Sequence, residues 1–253
     1  MVNKPEQEKD KAIIIETRRY GEADKIITLF TKRFGKIKAI VKKIRTQRHR
    51  YAATAEIGQI AEVFMLFYPK KNYLCRITNI KVIKPFFLLN PTVEHLMSLH
   101  YILSILSEGV PFNDPNPEIF DLLYLTIKKL YDAKKEDIRH IIRTYELSFI
   151  NKLGILPSIE FCSKCWQPIN SNAYLSFSLK NIVCDSCSRA SDLKITSSFI
   201  SLYKSIKQDC TDLKIDYTTD LTARLFFRHI FQSYTGKPMK ILNVRKNLKI
   251  QNK

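Results

Sequence analysis

The stretch CSKCWQPINSNAYLSFSLKNIVCDSC, which runs from Cys162 to Cys187, decides how the second half of the chain is organised. It contains two Cys-x-x-Cys pairs, Cys162/Cys165 and Cys184/Cys187, with eighteen residues between them. Two such pairs at this separation are typical of a zinc ribbon, in which four thiolates coordinate one tetrahedral ion. Four sulfur ligands leave no open coordination position, so the pattern predicts a structural Zn²⁺ and not a catalytic one.

A disulfide pair or a thioredoxin-like redox motif is the alternative interpretation of these four cysteines. No βαβ pattern surrounds either pair, and the presence of a second pair at ribbon spacing favours metal. The two remaining cysteines, Cys75 and Cys210, lie far from the ribbon in the sequence. We interpret both as ordinary buried thiols.

The composition is that of a folded protein with an uneven positive charge. The 253 residues are 45% apolar and carry a net charge of +18. Residues 1–84 hold 20 Lys and Arg against 8 Asp and Glu, and the segment from Lys25 to Ala55 has ten basic residues and no acidic one. Such a field attracts polyphosphate. A solvated surface, an acidic protein partner and an anionic membrane are the alternatives.

Targeting signals are absent from the sequence pattern. The first ten residues are polar and of mixed charge, which does not resemble a secretory signal. No apolar run reaches the length of about 18 residues that a membrane span needs. We therefore expect a cytoplasmic protein that does not associate with membranes.

Residues 11–84 contain five short runs rich in Ile, Val, Phe and Thr, separated by turn residues, which predicts a closed OB-like β-barrel. The predicted strands are Lys11–Glu16, Lys25–Thr31, Lys36–Val41, Gly58–Phe67 and Tyr73–Lys84. In the third of them, Ile37, Ala39 and Val41 alternate with lysines. We expect the apolar side of this strand to face the core, and Lys36, Lys38 and Lys42 to face solvent or a ligand.

After Pro85 the apolar period changes from two to about 3.6, which predicts a helical domain. Asn90-Pro91 and Asn116-Pro117 are helix-start signals, each with the asparagine as cap and the proline as the first helical residue. They predict helices that extend to about Ser107 and about Tyr131. Three further helices are predicted at about 136–153, 197–208 and 219–234. The predicted fold class is α+β multidomain, with an OB-like five-stranded barrel over 1–84 and a helical domain over 85–253. The four-cysteine zinc ribbon, at about 160–190, is inserted in the helical domain.

Basic residues before, on and after the third strand are the candidate nucleic-acid ligands, because a cationic barrel face can follow phosphates while aromatic rings stack on bases. They are Lys32, Arg33, Lys36, Lys38, Lys42, Lys43, Arg45, Arg48 and Arg50. A second candidate anion site lies near the C terminus and comprises Arg224, Arg228, Lys240 and Arg245. A core helix with a basic rim is the alternative interpretation of this second group.

The sequence contains little that indicates catalysis. The five histidines are scattered, and no glycine-rich phosphate loop appears. The zinc-deaminase signature requires a His-x-Glu ahead of its cysteine pair, and that is missing. We therefore name no catalytic residue and expect no enzymatic activity.

Several local patterns resemble one known family. They are Tyr20–Lys25 followed by an apolar strand and Phe34-Gly35-Lys36, the basic tract Lys42–Arg50, the strand end at Lys84-Pro85-Phe86, and Leu153–Pro157 followed by the first cysteine pair. Together with the order of barrel, helical body and inserted ribbon, they resemble the bacterial recombination mediator RecO over nearly the whole chain.

The resemblance implies a protein that binds single- and double-stranded DNA and anneals complementary strands coated with single-strand-binding protein. With RecR, it would help RecA to replace that coat at gaps. By position, the cations from Lys32 to Arg50 match the family's DNA-binding face, and the four ribbon cysteines match its zinc ligands. The family's pocket for the acidic tail of single-strand-binding protein lies in the helical body. A zinc-ribbon RNA-binding or transcription accessory factor is the alternative function.

Overall fold

The computed structural model describes residues 6–42, 44, 55–67, 74–84, 91–170, 172–209 and 215–238. The chain forms two compact units, Met1–Ala133 and Lys134–Lys253. The first unit contains the five-stranded barrel and two helices, and the second contains three helices and the cysteine ribbon. The predicted boundary after Lys84 marks the change from strands to helices, whereas the boundary between the compact units follows the second helix.

Five strands form a closed barrel in the order β1-β2-β3-β5-β4. They are β1 Glu6–Tyr20, β2 Asp24–Thr31, β3 Gly35–Val41, β4 Ile60–Phe67 and β5 Leu74–Lys84. Neighbouring strands are antiparallel except β3 and β5, which are parallel. The predicted fold class, an OB-like barrel followed by helices, is confirmed.

Strand β1 is longer than the predicted Lys11–Glu16 because it pairs with two neighbours. Glu6–Ile13 pair with β4, and Ala12–Tyr20 pair with β2. The register shifts between Ile14 and Glu16, where a bulge increases the local bend of the strand. This bulge allows one strand to close the barrel on two sides.

Alternation along the strands fills the barrel interior. On β3, Ile37, Ala39 and Val41 are buried in the barrel core, as the period of two predicts. Cys75 on β5 is buried in the same core, as expected, while Cys210 lies outside the described residues. Each large aliphatic side chain buried in this way contributes about 1.5–3 kcal/mol to folding.

Helices α1 (Val93–Gly109) and α2 (Pro117–Asp132) complete the first unit. Helix α2 begins as predicted, because the Asn116 side chain accepts a hydrogen bond from the Ile119 amide at 2.9 Å. Helix α1 instead begins at Val93, so the prediction of Pro91 as its first residue is wrong. The rings of Phe30 on β2 and Phe120 on α2 lie 5.9 Å apart, so α2 packs on the outside of the barrel.

The second unit consists of three helices and a small ribbon that carries the four cysteines. Its elements are α3 Lys135–Lys152, β6 Ala173–Ser176, β7 Asn181–Cys184, the 3-10 helix Asp185–Cys187, β8 Leu193–Lys194, α4 Ser197–Lys207 and α5 Tyr217–Thr235. The rings of Phe149 on α3 and Phe231 on α5 are 6.1 Å apart and fully buried. Asp216 caps α5 by accepting from the Thr219 amide at 2.6 Å.

Candidate nucleic-acid interface and metal centre

The four ribbon cysteines converge on one point. The Sγ atoms of Cys162, Cys165, Cys184 and Cys187 all lie within 4.8 Å of one another. Sγ of Cys165 and Sγ of Cys184 are 3.8 Å apart, which excludes a disulfide between them. A tetrahedron with metal–sulfur bonds of about 2.3 Å has edges of about 3.8 Å, so this sulfur set fits a tetrahedral ion such as Zn²⁺.

Local backbone geometry brings the two cysteine pairs together. Strands β6 and β7 form an antiparallel hairpin that ends at Cys184. In the first pair, the Trp166 amide donates to the Cys162 carbonyl at 2.9 Å, which closes a tight turn. The Lys164 amide points at Sγ of Cys162, 3.4 Å away. Amide donors of this kind stabilise a thiolate, which is the form that binds metal.

The thiols of this cluster differ in acidity. Burial raises the pKa of Cys162, but hydrogen bonds from the amides of Cys165, Cys184 and Lys164 outweigh it and lower the pKa to about 6. Burial and hydrogen bonding with the other thiols raise the pKa of Cys187 to about 12. These four residues can hold a metal ion, and a cation at this point would stabilise all of them as thiolates.

The outer surface of β1, β2, β3 and β5 is the second candidate site. Strand register arranges its outward side chains in rows across the sheet. One row, with Phe30 opposite Lys36, is buried. Helices α1 and α2 cover this row, as the contacts of Phe30 with Phe120 and of Lys36 with Ser107 indicate.

The next two rows each contain exposed side chains. In one of them, Arg18 lies opposite Ile26, Ile26 opposite Ile40, and Ile40 opposite Arg76. Both arginines are exposed and both isoleucines are half-buried, so a partly apolar strip lies between two cations. The other row contributes the exposed Lys38. We call these five residues together the open face.

One carboxylate, that of Glu16, lies beside the open face. Its Oε1 accepts from Nε of Arg18 at 2.7 Å, and its Oε2 accepts from Oγ1 of Thr28 at 3.3 Å. Glu16 and Arg18 are both substantially exposed. Because exposed ion pairs of this kind are worth about 0–1 kcal/mol, a phosphate can compete for the arginine.

Lys36 does not face solvent, and the prediction that it does is wrong. Only 4% of the residue is exposed, and its Nζ donates to the Ser107 carbonyl at 2.6 Å. Burial lowers the pKa of Lys36; the charge of Glu16 raises it and that of Lys38 lowers it further. The physical reason is that α1 covers this end of β3, and the lysine satisfies a carbonyl in the last turn of the helix.

Three further candidate nucleic-acid ligands, Lys32, Arg33 and Lys42, each have a carboxylate nearby. Nζ of Lys32 lies 2.8 Å from Oδ1 of Asp121, and Nη1 of Arg33 lies 3.0 Å from Oε2 of Glu8. Nζ of Lys42 lies 3.7 Å from Asp24. Carboxylates from other parts of the chain thus lie next to the cations of a stretch that itself contains no acidic residue.

The remaining predicted site residues are only partly described. Lys43, Arg45, Arg48 and Arg50 lie outside the described residues, as do Lys240 and Arg245 of the second candidate anion site. Arg224 and Arg228 lie one turn apart on α5; Arg228 is exposed and Arg224 is half-buried. Anion binding by these residues stays a prediction.

Sequence reasoning missed Arg18 and Arg76 as members of the candidate interface. Neither lies in the basic stretch, and each is isolated from other open-face residues in the sequence. For Arg76, its position in the predicted strand Tyr73–Lys84, on the polar side of the alternation, was the available signal. Arg18 lies two residues beyond the end of the predicted strand Lys11–Glu16, so the sequence offered no such signal for it. Only the pairing of β1 with β2 and of β3 with β5 places them in one row.

The fold and the two sites define a two-part protein, with a cation-bearing OB-like barrel and a helical unit that carries a four-cysteine cluster able to hold a metal ion. Two family models match the chain: Recombination protein O N terminal over residues 5–86, and Recombination protein O C terminal over residues 91–242. The chain belongs to this family, the recombination protein O (RecO) family of DNA repair proteins. The resemblance inferred from the sequence is confirmed.

Individual relatives agree with the family models. A protein of Syntrophobacter fumaroxidans is 32% identical over 161 residues, which cover 64% of this chain and 62% of the relative. A protein of Clostridium novyi is 27% identical over 240 residues, which cover 92% of this chain and 91% of the relative. Both are named DNA repair protein RecO.

The described helices also bear on membrane association. Among them, none combines the length and the apolar character that a bilayer crossing requires.

Proposed function

We propose that the open face of the barrel binds DNA through its phosphates, with little dependence on base sequence. The observation that carries this proposal is the arrangement of Arg18, Lys38 and Arg76 as exposed cations around a half-buried strip on one surface. Cations on such a surface neutralise phosphates and release counterions. Membership of a DNA repair family supports DNA, in preference to RNA, as the polymer.

In this proposal the protein is a recombination mediator without catalytic activity of its own. By neutralising phosphates it lowers the repulsion between two complementary strands, so that their bases can pair. It acts on DNA coated with single-strand-binding protein, works with RecR, and helps RecA to load on the strand. The support for these partners is the family membership.

We further propose that the ion of the ribbon is Zn²⁺ and that it stabilises the second unit. Cys162, Cys165, Cys184 and Cys187 would hold it, and the sulfur spacing is the support for this assignment. A zinc ion with four thiolate ligands contributes folding energy and no reactive coordination position. The protein would therefore use the metal to fix the ribbon and not to perform chemistry.

Salt-dependent binding to single-stranded oligonucleotides tests the phosphate mechanism. If about six phosphates are neutralised, the logarithm of the binding constant should fall with the logarithm of salt concentration with a slope of about −4. A triple charge reversal at Arg18, Lys38 and Arg76 should abolish most binding. The matched control is Lys81→Glu, an exposed lysine on the part of β5 that pairs with β4.

Annealing of complementary oligonucleotides coated with single-strand-binding protein tests the mediator role. The protein should accelerate annealing, and the triple variant should not. An RNA competitor that displaces single-stranded DNA at equimolar concentration would instead favour the RNA-binding alternative. A salt slope near zero would exclude the phosphate mechanism altogether.

A further inference from the structure

The connection between α1 and α2 lies along the edge of β3 next to the open face. Phe112 forms a parallel bridge with Lys36, and the Asn113 amide donates to the Lys36 carbonyl at 2.9 Å. The approach is so close that a Cβ on Gly35, whose φ is +67°, would overlap the backbone of Asp114. These backbone contacts hold Phe112 at a fixed place on the barrel.

Phe112 pairs with the part of the β3 edge that β5 leaves unpaired. Strand β5 pairs with Lys38–Ile40 only, through Leu74–Arg76, and Phe112 bridges β3 two residues before that pairing begins. Phe112 therefore lies just before the start of β5 along the same edge of β3. This position places an aromatic residue at the border between the helix-covered row and the open face.

The ring of Phe112 is both exposed and next to cations. The residue is 44% exposed, which is unusual for a phenylalanine fixed by backbone contacts. Nζ of Lys36 lies 4.5 Å from the ring centroid and Nζ of Lys38 lies 5.2 Å from it. The first lysine is buried and fixed by Ser107, while the second is exposed and can move to a phosphate.

We propose that Phe112 is a stacking platform for a base of single-stranded DNA, with Lys38 binding an adjacent phosphate. The inference deepens the proposed function and rests on it. Bases of any sequence can stack on an aromatic ring, and such platforms commonly accompany cationic grooves in barrels of this type. Lys36 acts as a positioning residue, because its buried ammonium fixes the ring by a cation–π contact.

A base is a better match for this ring than an apolar protein surface. The exposed Lys38 lies against the Phe112 ring, and the exposed Arg76 lies two rows further along the same edge of β3. Cations in these positions complement phosphate. A duplex keeps its base faces stacked inside, so the ring can contribute to binding of single strands but not of double strands. Phe112 therefore makes this surface prefer single-stranded DNA.

Variants at Phe112 test the platform with the full-length protein. Phe112→Leu removes the ring and keeps an apolar side chain, whereas Phe112→Tyr keeps the ring as the matched control. Affinity is measured for an oligothymidylate, for an abasic oligomer of equal length and for a duplex. We expect Phe112→Leu to weaken oligothymidylate binding about tenfold, as loss of one stacked base does. Binding of the abasic oligomer and of the duplex should change less than twofold.

A fluorescence measurement covers the case in which Phe112→Leu does not fold. Trp166 is the one tryptophan of the chain, so Trp166→Phe combined with Phe112→Trp gives a single reporter at the platform. Oligothymidylate should quench this reporter, and the abasic oligomer should not. Equal quenching by both, or no quenching under saturating conditions, overturns the platform.

The outcomes also separate this inference from the proposed function. If the unmodified protein binds no DNA, the proposed function itself fails. If binding depends on Arg18, Lys38 and Arg76 but Phe112→Leu binds oligothymidylate normally, only the platform fails. An equal loss of affinity for all three DNA ligands would show that Phe112 has a purely structural role, and would also reject the platform.

Discussion

Nζ of Lys36 donates a hydrogen bond to the carbonyl oxygen of Ser107 at 2.6 Å and thereby joins β3 to the last turn of α1. Helix α1 has no basic residue in its own last turn. The last carbonyls of a helix lack intrahelical partners and carry partial negative charge, so a cation stabilises them. A lysine from the most basic part of the sequence thus has a role in packing.

Replacing Lys36 with Met should reduce stability and leave phosphate binding intact. The variant loses a hydrogen bond from a charged donor and a cation–π contact, which together outweigh the cost of burying the ammonium. We expect the free energy of unfolding to fall by about 1–3 kcal/mol in urea denaturation. The salt slope of DNA binding should not change. Lys38→Met is the matched control, with a smaller salt slope of DNA binding and unchanged stability. A Lys36→Met protein with unchanged stability and a reduced salt slope would contradict this assignment.

Replacing Glu16 with Gln should strengthen DNA binding. The carboxylate of Glu16 pairs with Arg18 and repels phosphate. The amide of glutamine keeps the shape of the side chain but carries no negative charge. We expect about threefold higher affinity at 0.1 M salt, which is within the range of exposed ion pairs, and a smaller gain at 0.5 M salt because of screening. Glu62→Gln, on β4 beside Lys9, is the control and should have no effect. Unchanged affinity of Glu16→Gln would place the phosphates elsewhere.

Removal of the ribbon metal should destabilise the second unit. We expect a strong chelator to lower Tm by at least about 10 °C, given that about 1 kcal/mol shifts Tm by several degrees in domains of this size. A protein with Cys184→Ala and Cys187→Ala should have, without chelator, the low Tm that the unmodified protein shows with chelator. Adding chelator to this variant should not change its Tm. Metal analysis should find about one zinc per chain in the unmodified protein and in a Cys75→Ala control. An identical Tm with and without bound metal would show that the ribbon is not structural.

Replacing Arg143 with Met should strongly destabilise the packing of α3 on α5. Arg143 is buried and donates to Oδ1 of Asp220 at 2.8 Å and to Oε2 of Glu146. Both carboxylates are buried, so the variant leaves two negative charges without this partner. We expect a loss of about 3–5 kcal/mol in urea denaturation. Adding Asp220→Asn to the Arg143→Met variant should recover part of the lost free energy of unfolding. If Arg143→Met lowers that free energy by less than about 1 kcal/mol, the ion pair is not needed for stability.

The alternation of β3 illustrates what local patterns predict and where they stop. Period two correctly predicts that Ile37, Ala39 and Val41 are buried, because strand geometry alone sends them to one side. The same period places Lys36 and Lys38 on the outer surface of the barrel but does not predict which elements cover that surface. The group that covers Lys36 lies 71 positions later in the chain.

The candidate interface shows the same division. Lys38 was predicted because it lies in a dense run of cations, whereas Arg18 and Arg76 lie outside that run. Their inclusion depends on the register of β1 with β2 and of β3 with β5. A shift by one residue would send either arginine to the opposite side of its strand.

The sequence by itself determined which four cysteines form the cluster that can hold a metal ion, since each Cys-x-x-Cys pair places two thiols close together whatever the surrounding fold. It also determined the strand and helix types, because periods of two and 3.6 follow from backbone geometry. Only the tertiary structure decided which cations stay in solvent. Lys36 and Lys38 are equal in charge and orientation, yet helix α1 buries the first and leaves the second exposed.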